Sequence, residues 1–341
     1  MPALVVESPL GLYCPQGDFH IDPSGPVPRA VLTHVHADHA HPGAGEYLCA
    51  EPSVPLLRKR LSVETDAGAQ SPLKVTGVRY GGRFPLGSAT VSFHPSGHVL
   101  GSAQIRIEAG GEVWVVSGDY KRAPDPTCAP FEVVPCDVFI TEATFALPIF
   151  RWDPAESVAA DILHWWDNNR ENDKASVLIC YSLGKAQRLL AELQKLTDRP
   201  VYVHGAIELI TQLYRNAGVQ MLPTIPVVET KKGQSFKGEL ILAPRSARGQ
   251  TWMRRFGSWE EAFVSGWMRI RGTRRHMSYD RGFVLSDHAD WPALLQTIQD
   301  TGAKRVLCTH GYVDALSRYL SERGVDAGVL KTAFAGEGDI A

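Results

Sequence analysis

Residues 33–40 read THVHADHA, directly after the apolar run RAVL at 29–32. That run reads as the end of a buried strand, and function commonly sits on the loop that follows one. His34, His36, Asp38 and His39 then fall within six positions. Alternation sends His34 and His36 to one side of an extended segment. The shift to adjacent Asp38 and His39 suits a loop turning into a helix. Two pairs of ligand-type side chains facing two neighbouring points predict two metal ions rather than one. The remaining ligands are to be sought at other strand ends.

The first 150 residues read as short strands divided by Gly and Pro turns. VWVVSGD (113–119) and DVFITEA (137–143) are apolar, β-rich runs that close on polar, chemically useful residues. His98 lies in PSGHVLGSAQ, where Gly97 and Gly101 permit a tight backbone; Asp119 ends its strand, and His310 ends RVLCTH. With the HxHxDH string these make seven nitrogen and oxygen ligands, five imidazoles and two carboxylates. Such a set suits two zinc ions, with manganese the alternative. It does not suit calcium or magnesium, which want oxygen. Asp119 is the ligand expected to bridge the pair.

The pattern changes after Asp153. Residues 155–167 have helical spacing, SVLICYS (176–182) reads as a buried strand, and LGKAQRLLAELQKL (183–196) as an amphipathic helix with Ser182 at its N-cap. VYVHG, a helix around 205–217 and ELILAPRS follow. Strands alternating with helices predict a parallel sheet. Short strands ending in polar residues return near GFVLSDHAD (282–290) and RVLCTHGY (305–312). We therefore expect a larger α/β domain in two parts, 1–150 and 271–341, interrupted by an inserted α/β domain over 151–270.

Composition excludes several classes. No window approaches 18 consecutive apolar residues, and the first residues lack a charged stretch before their short apolar run, so neither membrane span nor signal peptide is expected. The six cysteines form no CxxC pair, which points to a reducing cytoplasm. A net charge of -2 gives no overall basic field, so a polyanionic partner would need a local patch. One exists: nine arginines stand against three acidic residues between Arg245 and Arg281. Trp252 and Trp267 lie among them, with core packing the plainer reading for both.

The motifs together resemble those of the metallo-β-lactamase superfamily. Asp22 in FHID matches its first motif, HVHADH its second, His98 its third and Asp119 its fourth. The resemblance implies an αββα sandwich. SGHVLGSAQ, SGDYKR (117–122), TEATF (141–145), SDHAD (286–290) and THGY (309–312) resemble the β-CASP nucleases more narrowly. Glu142, His288 and His310 then match that group's three further motifs, and YSLGKAQRLL (181–190) the opening of its inserted domain. The opening YCPQGDFHIDP is similar to the bacterial DNA ligase-associated exonucleases. His310 resembles the RNA-cleaving members and SGW (265–267) the DNA-repair branch, so both substrates stay open.

What the resemblance implies is a dinuclear phosphodiesterase. DNA is favoured as substrate, digested 5′ to 3′ by an exonuclease in repair and in association with a DNA ligase; the alternative is RNA processing. A small-molecule hydrolase and a non-catalytic scaffold fit less well. His34, His36 and His98 hold one ion and Asp38, His39 and His310 the other. Asp22 is expected to orient a ligand histidine or to support the loop rather than to bind metal. His288 is the acid for the leaving oxygen, held by Glu142, so that Asp38, Asp119, Glu142 and His288 form the catalytic set. Ser182, Lys185, Arg271, Arg274 and Arg275 are expected to meet the nucleic acid.

Overall fold

A computed structural model describes residues 3–65, 73–272 and 277–331; Arg274 and Arg275 lie outside the described residues. The chain forms two compact units, one of Met1–Arg151 with His288–Ala341 and the other of Trp152–Asp287.

In the first unit the described strands form two sheets. One runs in sequence order through Val6–Ser8, Gly11–Cys14, Phe19–Ile21, Arg29–Val31, Glu46–Ala50 and Val75–Val78. The other has the order Asp326–Val329, Arg305–Gly311, Val138–Ala143, Glu112–Val116, Ala103–Ala109, Ala89–Pro95 and Arg83–Leu86. Strand alternation explains the two cores. Val116, Ile140 and Leu307 face Leu12, Phe19, Ile21, Val31 and Leu48 of the first sheet. Their neighbours Val115, Phe139, Val306 and Cys308 face the other way. There they pack on Trp291, Leu294 and Ile298 of helix Trp291–Thr301 and on Leu316 and Leu320 of helix Val313–Ser321. Strands buried on both faces need near-continuous apolar sequence, which VWVV, VFIT and RVLC supply.

The second unit holds a wholly parallel sheet among the described residues. Its order is Thr224–Pro226, Val201–Val203, Leu240–Ala243, Ala175–Ile179, Trp259–Val264 and Arg281–Phe283. Helix Ala155–Glu171 precedes its first strand, and the connections include the helices Lys185–Gln194 and Gly205–Asn216. The unit runs past the expected end at 270 because Arg281–Phe283 pairs with Trp259–Val264 and so belongs to the same sheet. Ser182 is not the helix cap: the helix starts at Lys185, and Gln187 Oε1 accepts from the Gly184 amide at 2.8 Å. No helix among the described residues is long and apolar enough to cross a membrane.

Lys185 is buried rather than open to a ligand. Its Nζ lies 2.7 Å from Asp287 Oδ2, and Arg188 Nη1 lies 3.1 Å from Oδ1 of the same carboxylate. Removing one partner from a buried ionic cluster leaves charge without compensation, at a cost of about 3–5 kcal/mol. Asp287→Ala should therefore lower stability by about that amount, read as an earlier urea midpoint for the unit 152–287. A midpoint unchanged from the parent would mean that the two cations find other compensation.

Candidate metal centre

Ala89–Pro95 and Glu112–Val116 are both antiparallel to the strand between them, and Glu112–Val116, Val138–Ala143 and Arg305–Gly311 are parallel. Four strands thus end on one edge of the sheet. Two of them continue into the loops bearing His98 and Asp119; the other two carry Glu142 and His310 in their last turns of pleat. From the facing sheet, Arg29–Val31 opens into the loop with His34, His36, Asp38 and His39. The pairing of the last two strands slips after Glu142, which leaves His310 as the extra residue of a bulge. Its φ is +59°, in the left-handed region, and Gly311 follows at +76°. A Cβ on Gly311 would stand 2.4 Å from the Ala143 carbonyl oxygen. Bulges of this kind re-aim a side chain, here the imidazole of His310.

The donors converge. His36 Nδ1 lies 3.1 Å from His34 Nε2 and 3.1 Å from His98 Nε2. Asp119 Oδ2 lies 3.5 Å from His34 Nε2 and 3.7 Å from His98 Nε2. Ligands bound at 2.0–2.1 Å around a tetrahedral ion stand about 3.4 Å apart. These four therefore fit one divalent ion. A second, wider group shares Asp119 Oδ2, which is 3.6 Å from His39 Nε2. Asp38 Oδ2 lies 3.9 Å from the same nitrogen, and the rings of His39 and His310 have centroids 5.3 Å apart.

Around the donors stands a layer of hydrogen bonds. Asp22, at φ +45°, accepts from His39 Nδ1 at 2.8 Å and from the Thr33 amide at 2.7 Å. Glu142 accepts from His288 Nδ1 at 2.8 Å and from the Tyr120 amide at 2.7 Å. The ring of His288 lies 4.7 Å from that of His98, and Asp119, Glu142 and His288 have donor atoms within 4.8 Å of one another. Sequence reasoning overlooked two serines. Ser96 Oγ donates to the Asp119 carbonyl at 2.8 Å, and Ser102 Oγ accepts from the amides of His98 and Val99, both at 3.1 Å. Their signal was the pair of hydroxyls flanking the glycines of SGHVLGS, a pattern that ties a turn to its own backbone.

Electrostatics follow from this crowding. Burial and the neighbouring histidines hold His34 well below its ordinary range, and burial with His39 pushes His310 down to about 3. Both are neutral imidazoles, the form that ligates. Burial also opposes charge on His39, but Asp119, Asp38 and Asp22 outweigh it and push the group up to about 10. Burial raises Asp119 to about 7 against the pull of His39 and His288.

The expected nucleic-acid contacts are less uniform. Arg271 is exposed, whereas Ser182 is half-buried with its carbonyl accepting from Gln187 Nε2 at 3.0 Å. Part of the arginine excess is used inside its own unit. Arg248 pairs with Glu261 at 2.9 Å, Arg269 with Asp153 at 2.9 Å, and Arg255 donates to Thr230 Oγ1 at 2.7 Å. Trp252 and Trp267 pack against that unit's core.

No family model matches the chain. It is 29% identical over 320 residues to a protein named "Probable DNA ligase" from Opitutus terrae, which covers 93% of this chain and 30% of that one. An RNase J-like protein of Methanocaldococcus jannaschii is 26% identical over 36% of this chain and 31% of its own. The chain thus spans about a third of the length of these relatives. A crystal structure of a protein of unknown function from Enterococcus faecalis superposes with a TM-score of 0.59 at 12% identity, covering 90% of this chain and 80% of the other, which shows likeness of fold. These likenesses, beside donors gathered as described, are in keeping with the resemblance of the motifs to the β-CASP group of the metallo-β-lactamase proteins.

In the ion-free protein a cation entering the wider group must displace the proton of His39, and below about pH 7 that of Asp119 as well. Ligands bind deprotonated, so affinity for zinc should climb with pH, by roughly tenfold per unit where one proton leaves. Titration calorimetry near pH 7.5, in two buffers of different ionisation enthalpy, should show about one proton released with the second ion. Affinity that does not vary between pH 6 and 8 would contradict the arrangement.

Proposed function

We propose that the chain is a dinuclear phosphodiesterase acting on nucleic acid. The observation that carries this reading is the convergence of His34, His36, His98 and Asp119 beside the His288–Glu142 pair. The unit of Met1–Arg151 with His288–Ala341 is read as an αββα metallo-β-lactamase domain, and Trp152–Asp287 as its β-CASP insertion. The first ion falls to His34, His36 and His98, the second to Asp38, His39 and His310, with Asp119 common to both. Zinc suits the five imidazoles best, and manganese is the alternative. Ions bound there supply Lewis acidity that neutralises the phosphodiester and makes water a nucleophile near pH 7.

The chain's own residues do the rest. Asp22 fixes the His39 ring by holding Nδ1, which leaves Nε2 for the ion. Glu142 holds Nδ1 of His288 in the same way, so that in the doubly protonated, imidazolium form of His288 the Nε2–H is the proton available to the departing oxygen. Glu142 is itself held by the Tyr120 amide next to Asp119, so acid and bridging ligand are positioned by one turn of backbone.

Among substrates we favour DNA, attacked from its ends in repair, in the 5′ to 3′ direction. Likeness to part of a protein named as a probable DNA ligase supports DNA and an association with a DNA ligase. Likeness to an RNase J-like protein supports the second reading, RNA processing. Six free cysteines suit a cytoplasmic setting. Of the charged contacts, exposed Arg271, with Arg274 and Arg275 beside it in sequence, is preferred to Lys185 for phosphate binding.

The test is the purified protein with zinc or manganese, given single-stranded DNA and RNA labelled at either end. Mononucleotides released from the 5′ end of DNA are expected, with loss on chelation; cleavage confined to RNA would select the second reading. Asp119→Ala should lower bound metal and abolish cleavage; two ions at native affinity in that variant would remove Asp119 from its role. His288→Ala should keep both ions and slow turnover by roughly 10² to 10⁴. Loss of an ion in that variant would instead make His288 a ligand.

A further inference from the structure

Thr33 opens the string THVHADHA and is not among the ligands. It is 1% exposed and makes three separate contacts with the supports of the donors. Its amide donates to Asp22 Oδ1 at 2.7 Å, and its hydroxyl donates to Asp22 Oδ2 in a short hydrogen bond. The same Oγ1 lies 3.1 Å from Nδ1 of His34. Its side chain also rests against Gly118, the residue before Asp119. A Cβ at Gly118 would meet Thr33 Cβ at 2.5 Å and Oγ1 at 2.7 Å, and Gly118 holds φ +55°.

A hydroxyl has one proton to give and lone pairs to receive. A carboxylate only accepts, so the proton of Thr33 goes to Asp22. What remains toward His34 is a lone pair, and the contact is a hydrogen bond only if His34 Nδ1 carries the hydrogen. The other nitrogen, Nε2, is then bare. That nitrogen is the one 3.1 Å from His36 Nδ1 and 3.5 Å from Asp119 Oδ2. Asp22, on the far side of the hydroxyl, orients His39 of the wider group.

We propose that Thr33 is a positioning residue shared by both metal positions: its hydroxyl selects the His34 tautomer that offers Nε2, while its hydrogen bond to Asp22 holds the carboxylate that orients His39. The inference rests on the two-metal reading. The two ion positions are therefore not independent beyond the Asp119 carboxylate; they also meet through one hydroxyl behind the ligands.

Three measurements test this. In the ion-free protein, nitrogen-15 NMR of the His34 ring should show hydrogen on Nδ1; hydrogen on Nε2 overturns the proposal without any variant being made. Thr33→Val keeps the shape and removes the hydroxyl. Its affinity for zinc, measured by competition with a chromophoric chelator, should fall by about 10- to 100-fold at both positions, as for other groups that orient ligands. Thr33→Ser, which restores the hydroxyl, should recover affinity to within a few-fold. Unchanged binding by Thr33→Val, or a Thr33→Ser as weak as the valine variant, overturns the proposal. A parent protein that takes up no divalent ion would remove the metal reading itself, and the His34 tautomer would still report on the hydroxyl.

Discussion

A single carboxylate oxygen, Asp119 Oδ2, stands 3.5–3.7 Å from the ring nitrogens of His34, His39 and His98. Bringing that many imidazoles into a buried space is unfavourable, since burial and then the neighbouring rings lower the basicity of each, as for His34. An acid at the centre offsets the crowding, and the backbone around it is fixed accordingly. Ser96 holds the Asp119 carbonyl, Gly118 clears room for Thr33, and the Tyr120 amide anchors Glu142. Sheet edge, glycine turn and ligand form one arrangement whose parts have little independent freedom.

The donors were visible in the sequence because each stands just past an apolar run or within a Gly-rich string. The parallel sheet of the middle segment was visible in the alternation of strand and helix patterns. Other features carried only a turn signal, or none. Thr33, Ser96 and Ser102 look like ordinary turn hydroxyls until their partners are known. Arg281–Phe283 is three residues long, too short for periodicity, and only its pairing extends the second unit to Asp287. Lys185 looked like the open basic face of a helix. Its partner Asp287 lies about a hundred residues later, and nothing near either residue announces the pairing.

The arginine excess illustrates why charge counted along a chain differs from charge available to a ligand. Arg248 is stacked 4.0 Å over the ring of Tyr279 as well as paired with Glu261, and Arg269 reaches Asp153 from the other end of the unit's sequence. Such contacts tie loops to a sheet whose strands are all parallel and whose connections are correspondingly long. Arg271, by contrast, is exposed.

The division of the first unit into two stretches of chain has a consequence for biosynthesis. On a ribosome the segment Trp152–Asp287 is contiguous and can complete its sheet while the rest is still being made. The unit bearing the metal donors cannot. Strand Arg305–Gly311 lies in the interior of its second sheet, between Val138–Ala143 and Asp326–Val329, and both His288 and His310 arrive with this late stretch. Half-made chains therefore hold the HxHxDH loop without its last histidines. The set of gathered donors is therefore complete only once this last stretch has left the ribosome.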